Sequence, residues 1–386
     1  MNYPKSLFCC VVLVCFVMVG TLNAQTSLTA EQYVEQGNKL ASQKQFDAAI
    51  ESYKEAIKLN PNLASAYLGI GTAYGSVGRA GDAFEPMKTA VRLAPDNVLA
   101  HINLAVTLSN LRRYDEALAE LNEAKRLNPK DGRIYNMTGN VLSSTGKFEE
   151  AITNYKKSAE LNPDQSANYH NIGLMYMRLG KFTEAVEPLE TALRLNPSYQ
   201  NARYHLSNAY SKTGRYQEAI ESWTKFLELV PNGYEALNNR ALNYLYEGNY
   251  GREIAADSRA FLENHGWKDT TATYMVIYAN FGYRKAGMFP EAQKILFEAA
   301  KKSNTNTWIY SVVRYLSGEI SEQELMQLAV DNDKKTEAHT YLGMDLLLKG
   351  KTEEARKHFE WVKDYGNKRF TEYPLAVEEL KRLIKQ

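Results

Sequence analysis

Apolar and small residues recur along this chain in a frame of 34 residues. Laid from Ala30, the frame restarts at Ala64, Val98, Gly132, Ser166 and Gln200. Position 8 is small in every unit: Gly37, Gly71, Ala105, Gly139, Gly173 and Ser207. Position 11 is large (Leu40, Tyr74, Leu108, Leu142, Tyr176, Tyr210), and position 24 is bulky (Tyr53, Met87, Leu121, Tyr155, Leu189, Trp223). Position 20 is always alanine: Ala49, Ala83, Ala117, Ala151, Ala185 and Ala219. Positions 4, 7, 8 and 11 share one face of a first helix, and positions 20, 24 and 27 one face of a second. Small residues at 8 and 20 let two backbones approach, and large ones at 11 and 24 fill the space beside them. Each unit closes on a tripeptide such as Leu59-Asn60-Pro61 or Leu161-Asn162-Pro163, with proline at position 32 throughout. Leucine is the last core residue of the helix, asparagine tolerates a left-handed C-terminal conformation, and proline cannot continue the helix. One such pair cannot bury its apolar face alone, so the pattern predicts stacked helix pairs.

After Pro231 the register continues without its proline. A seventh unit from Tyr234 keeps Tyr244, Gly248 and Ala260, with Glu253 in place of the alanine at position 20. His265-Gly266-Trp267-Lys268-Asp269 interrupts it. An eighth unit fits near Thr273, a shortened pair covers Trp308–Tyr315 and Glu322–Val330, and a last unit starts at Thr336. The stretch from about Phe370 to Gln386 reads as one amphipathic helix, expected as a solubilising cap.

The first 24 residues hold one charge, Lys5, then an apolar run from Leu7 to Leu22 and Leu22-Asn23-Ala24 before Gln25. This predicts a signal peptide cleaved after about Ala24, with a retained anchor as the alternative. Export would make the protein periplasmic or secreted, with no integral span after cleavage. All three cysteines (Cys9, Cys10, Cys15) lie there, so the mature chain is expected to have no disulfide, thiolate metal site or cysteine nucleophile. The expected organisation is a signal peptide over 1–24, six regular units over 30–233, degenerate units over 234–306 and a C-terminal module over 307–386. The charge balance is even: 46 basic against 45 acidic residues. No basic patch is present, so no nucleic-acid partner is expected.

The six units resemble the tetratricopeptide repeat family. The resemblance implies an all-α fold: a right-handed α-solenoid of antiparallel helix pairs, a superhelix whose first helices line the concave side through positions 2, 5, 6, 9 and 12. Residues 304–380 resemble the NlpI-type envelope lipoproteins in Trp308, the run Val312 to Met326, Tyr341-Leu342-Gly343 and Phe370–Val377. Those relatives are adaptors that hold peptidoglycan endopeptidases against a processing protease, which implies an envelope scaffold. This chain departs from them in lacking a lipobox cysteine and in its longer array.

Catalytic signatures are weak. Gly69-Ile70-Gly71 has the wrong spacing for a dinucleotide loop, and Gly350-Lys351-Thr352 is an inter-helix turn without the upstream glycine of a phosphate loop. Asn136-Met137-Thr138 fits a glycosylation sequon placed mid-helix. His339 and His358 fall on successive helices without a clustered third ligand. No enzyme activity, metal or cofactor is expected. The better signal is asparagine on the implied concave side. Position 6 carries Asn103, Asn171, His205 and Asn239; position 9 carries Asn140, Leu174 and Asn208; position 5 carries Asn136, His170, Tyr204 and Asn238; Met177 follows at position 12. Each amide offers a donor and an acceptor, so a ladder of them can pair with an extended peptide backbone while Leu174, Met177 and Tyr204 take apolar side chains. The bland alternative is solvated asparagine, or asparagine capping a neighbouring helix. A carboxylate clamp is not supported, because position 5 carries no Lys or Arg. The expected function is a non-enzymatic protein–protein scaffold binding a protein or peptide in the groove of about 98–245, with envelope peptidoglycan hydrolases or proteases as partners. The C-terminal module would form a second contact or a homodimer surface. The alternatives are an assembly factor of an outer-membrane or pilus complex acting through its convex face, and a hydrolase within 234–310.

Overall fold

The computed structural model describes residues 28–248 and 250–385. The signal-peptide reading and the three cysteines lie outside the described residues. Six helix pairs follow the 34-residue frame: α1 (Ala30–Ser42) with α2 (Phe46–Leu59), α3 (Ala64–Ser76) with α4 (Ala80–Leu93), and α5 (Val98–Asn110) with α6 (Tyr114–Leu127). Then come α7 (Gly132–Ser144) with α8 (Phe148–Leu161), α9 (Ser166–Arg178) with α10 (Phe182–Leu195), and α11 (Gln200–Lys212) with α12 (Tyr216–Leu229). Every first helix opens on position 1 of the frame. The later helices are α13 (Tyr234–Glu247), α14 (Arg252–His265), α15 (Thr270–Lys285), α16 (Phe289–Lys302), α17 (Tyr310–Leu316), α18 (Glu322–Leu328), α19 (Asn332–Leu348), α20 (Thr352–Tyr365) and α21 (Glu372–Lys385). The described residues hold no strand, and the fold is an all-α helical repeat. No described helix is long and apolar enough to cross a membrane. Two compact units are present, one ending at Glu120 and one beginning at Leu121.

The packing rule behind the frame is visible at position 8. A Cβ built on Gly37 would lie 2.5 Å from the Tyr53 ring, one on Gly139 2.6 Å from Tyr155, and one on Gly173 2.5 Å from Leu189 Cγ. Position 8 therefore carries the bulky residue at position 24 directly on its backbone. Gly343 repeats the contact with Phe359 in the last regular pair. The alanines at position 20 are wholly buried in all six units. At position 15 the inter-helix turn needs a left-handed residue, supplied by Gly78, Gly146, Gly180 and Gly214 at φ between +72° and +79°. Lys44 and Arg112 take the same conformation without glycine's freedom.

The closing tripeptide works differently from expectation. Asn60 and Asn196 are extended, each with φ −138°, as a residue before proline tends to be, and Asn162 at φ −136° is not left-handed either. The left-handed residue belongs to the other turn. The asparagines of Leu-Asn-Pro instead act through their side chains: Asn60 Oδ1 accepts from Asn62 N (3.0 Å) and Asn196 Oδ1 from Ser198 N (3.2 Å).

The seventh pair also shifts. Glu253 is exposed, and Ile254, Ser258 and Phe261 fill the buried positions one residue later. The extra residue is absorbed where Gly251 precedes α14. The final helix does more than solubilise an end. α21 packs on α20 and α19, and also on α13, far earlier in the chain.

Candidate protein-binding face

Within the second unit, the first helices α7, α9, α11 and α13 present positions 5, 6 and 9 as a half-buried polar surface. Asn136, Asn140, Asn171, Leu174, Met177, Tyr204, His205, Asn208, Asn238 and Asn239 are all intermediate in exposure, and His170 is buried. The asparagines do not form one continuous free ladder. Tyr155 OH donates to Asn140 Oδ1 (2.8 Å), Asn140 Nδ2 reaches Asn136 Oδ1 (3.4 Å), and Asn136 Nδ2 donates to Asn168 Oδ1 (2.8 Å). The cause lies in the repeat itself. A tyrosine at position 24 needs an acceptor for its hydroxyl, and asparagine at position 9, fifteen residues earlier, provides it. Tyr53 and Asn38 repeat the pair in the first unit at 2.8 Å. Burial pushes the Tyr155 hydroxyl up to about 12, so it remains a donor. Asn208 has no tyrosine to serve and donates to Tyr204 O (3.1 Å). Asn103, in the first unit, donates to Thr72 Oγ1 (3.1 Å) beside a cavity of about 220 Å³.

Four of the expected residues form a cluster. The His170 and His205 rings stack at 5.3 Å, and Tyr204 meets His205 edge-on at 5.5 Å. Asn171 lies beside His170. His170 Nδ1 lies 3.2 Å from Tyr199 OH, while its Nε2 is buried without a partner. Burial lowers the His170 imidazole. Burial, then the charges of His170 and Arg178, bring His205 down to about 4. Both rings are neutral at pH 7, so each offers one donor and one acceptor rather than a charge. Tyr204 OH donates to Glu235 (2.8 Å), which ties α11 to α13.

Asn168 was not among the expected residues. It occupies position 3, where Ala66, Ala100, Ile134, Ala202 and Ala236 are buried and apolar. A polar residue in that column is a readable signal. Asn168 Oδ1 accepts from both Asn136 and Ser158, and its Nδ2 has no partner.

Further along the chain, first helices are covered by a segment of the chain itself. The backbone of 367–372 lies against α13 and α19. Tyr246 OH donates to Thr371 O (3.0 Å), Thr340 Oγ1 to Glu372 O (3.4 Å), and Asn367 N to Thr336 Oγ1 (2.9 Å). Asn238, at position 5, lines a cavity of about 370 Å³ with Leu242, Tyr274, Tyr278, Phe370 and Glu372. Behind it, Glu337 accepts from Tyr274 OH and from Trp308 Nε1 (2.5 Å), and Glu372 from Tyr341 OH (2.8 Å). Burial, with the neighbouring Glu372, raises the Glu337 carboxyl to about 7. His339 and His358 do meet, Nδ1 to Nδ1 at 2.8 Å, with Trp361 stacked on His339 at 4.1 Å. Among the described residues no group of three or more His, Cys, Asp or Glu is arranged to hold a metal ion.

Residues 18–242 match the tetratricopeptide family described as Cilia and flagella-associated protein 70 C-terminal domain. The chain belongs to this tetratricopeptide-repeat family. It is also 31% identical over 160 residues to the Lipoprotein NlpI homolog of Haemophilus influenzae, covering 39% of this chain and 49% of that protein. The match thus spans about half the length of that relative. Among solved structures, MamA is 30% identical over 42% of this tetratricopeptide chain and 94% of its own, with a TM-score of 0.39. YrrB, described as "a TPR protein with an unusual peptide-binding site", is 26% identical over 45% and 90%, also with a TM-score of 0.39.

Proposed function

We propose that this tetratricopeptide-repeat protein is a non-catalytic adaptor that holds a protein or peptide segment on the face of α7, α9, α11 and α13. The observation that carries the reading is internal. The chain already seats one of its own segments, 367–385, against the first helices α13 and α19. There Tyr246, late in α13, and Thr340, at position 5 of the last unit, donate to the backbone carbonyls of Thr371 and Glu372. Such contacts recognise a main chain whatever its sequence, and apolar neighbours then select side chains. Asn171, Asn208 Oδ1, Asn239 and the neutral His205, backed by the buried His170, are the groups available to a partner, with Leu174 and Met177 as its apolar floor. The fitting partner is a tight turn leading into an amphipathic helix, as 367–385 is.

The cellular setting we propose is the bacterial envelope, with peptidoglycan hydrolases or proteases among the partners. The signal-like N-terminus and the likeness to an NlpI homologue support it. The division into a cleaved leader over 1–24, regular units over 30–233, degenerate units over 234–306 and a C-terminal module belongs to the same proposal. A second reading, contact through second helices in assembly or dimerisation, has its own support: Phe297 on α16 and Tyr365 on α20 are 63% and 66% exposed.

Panning a random peptide library on the full chain separates them. Enriched peptides are expected to bind Asn171→Ala/His205→Ala/Asn208→Ala weakly and Phe297→Ser/Tyr365→Ser normally. The reverse pattern would establish the second reading in place of the first.

A further inference from the structure

Asn280 breaks the rule of the repeat. Position 8 is Gly, Ala or Ser in every regular unit, because the second helix of the pair lies against it. In the eighth unit Asn280 stands there, 2% exposed. Its Nδ2 donates to Ala292 O (3.0 Å). That bond fixes the amide: the nitrogen must face the carbonyl, so Oδ1 is the atom left over. Asn280 Oδ1 is buried and has no partner. Leaving a buried acceptor unpaired is destabilising, a cost that an alanine at this position would avoid.

Asn280 lines a cavity of about 310 Å³ together with Arg284, Phe289, Tyr315, Asp345 and Lys349. Asp345, 2% exposed, accepts from Arg284 Nη1 (2.7 Å), Lys349 Nζ (2.7 Å) and Tyr315 OH (2.6 Å). Burial alone would raise the Asp345 carboxyl, but Lys349, Tyr315 and Arg284 together hold it below the usual range. Two cations therefore share one carboxylate, and one positive charge stays unbalanced. Glu322, the other acid near Tyr315, is turned to His358 Nε2 at 3.5 Å. The rim is apolar: Phe289 is 62% exposed.

We propose that this cavity binds a small carboxylate with an N–H donor beside it and a short apolar stem, as in an N-acylated amino acid. The N–H donates to Asn280 Oδ1, the carboxylate accepts from Arg284 and Lys349, and the stem lies on Phe289. The volume suits one residue. A free N-acyl amino acid and the last residue of a peptide share this chemistry. The site lies apart from the face of α7–α13 and does not depend on it.

Titration calorimetry on the full chain tests the site with three probes: N-acetyl-leucine, N-acetyl-leucinamide and an acetylated tripeptide ending in leucine. N-acetyl-leucine is expected to bind, and the amide to bind at least about tenfold more weakly, since charge-assisted bonds to the cations are lost. Asn280→Ala is expected to fold, because Ala241 fills the same position in the preceding pair, and to weaken N-acetyl-leucine by about tenfold or more. Tripeptide binding tighter than N-acetyl-leucine would identify a chain terminus as the source, and weaker binding a free metabolite; either upholds the site. No heat from any probe at millimolar concentration, as when Asn280 Oδ1 merely holds a water, overturns the proposal. So does unchanged affinity in Asn280→Ala, or an amide that binds as well as the acid.

Discussion

Gly173→Ala isolates the packing rule of the repeat in one methyl group. A Cβ there would stand 2.5 Å from Leu189 Cγ, 2.9 Å from Leu189 Cδ2 and 3.2 Å from the backbone oxygen of Ala185. The nearest atom is a branched carbon close to its own backbone, so no rotation of a distant side-chain end relieves the clash. Overpacking of this kind costs about 1–3 kcal/mol. Alanine also gains about 1 kcal/mol over glycine in a helix interior. The net expectation is a loss of about 0–2 kcal/mol. Leu189→Ala alone, at a fully buried site, should lose about 2–5 kcal/mol. In that background the clash with Leu189 is gone, so Gly173→Ala should become neutral or stabilising by up to about 1 kcal/mol. The double-mutant cycle should therefore show a coupling of about 1–3 kcal/mol in the direction of relief. Gly75→Ala is the control, because a Cβ there meets nothing within 4 Å and only the helical gain remains. Repeat arrays do not unfold as one cooperative block, so the readout is local: hydrogen-exchange protection of the α9 and α10 amides in the full chain. Additive effects of Gly173→Ala and Leu189→Ala would refute the contact between positions 8 and 24.

Ala151→Leu or Ala185→Leu should overpack position 20 and cost about 1–3 kcal/mol in local exchange protection. Arg112→Gly should stabilise the first unit by about 1 kcal/mol in the same assay, because the turn holds this residue at φ +60°. Glu337→Gln should raise the thermal midpoint at pH 8 and change it little at pH 4.5. The folded carboxyl titrates near 7 against an ordinary value near 4.5, so its neutral form is favoured, and its contribution is lost as pH rises through that window. His205 runs the other way: its folded value near 4 lies below the ordinary 6.5, so stability falls as pH drops from about 6.5 to about 4. His205→Gln should flatten that limb of the stability curve.

The helix bounds of the regular pairs were legible because their determinants are local and periodic. Gly173, Ala185 and Leu189 each sit where sterics permit little else, and the period repeats the message. The candidate face was legible only as a list of positions. Asn140 looked like a free amide because sequence marks the residue and not its partner; Tyr155, fifteen residues on, was the missing half. The extended conformation of Asn60 follows from Pro61 and was readable from the chain. Glu253 misled because one extra turn residue slides α14 against the frame, and nothing local reports the slide. The docking of 367–372 on Tyr246 and Thr340 was not readable, since it joins segments more than a hundred residues apart in the first case. Asn168 and Asn280 were readable in principle. Each is a polar residue in a column that the neighbouring repeats keep small or apolar.

In the proposed mode of binding, partners contact the first-helix face of α7–α13. Photo-crosslinking measures it directly, with a photoreactive residue placed at Asn171 or, as the opposing probe, at the exposed Glu187 on α10. With a library-selected peptide bound to the full chain, a strong crosslink is expected from position 171 and none above background from position 187. Crosslinking from 187 and not from 171 would contradict this mode of binding.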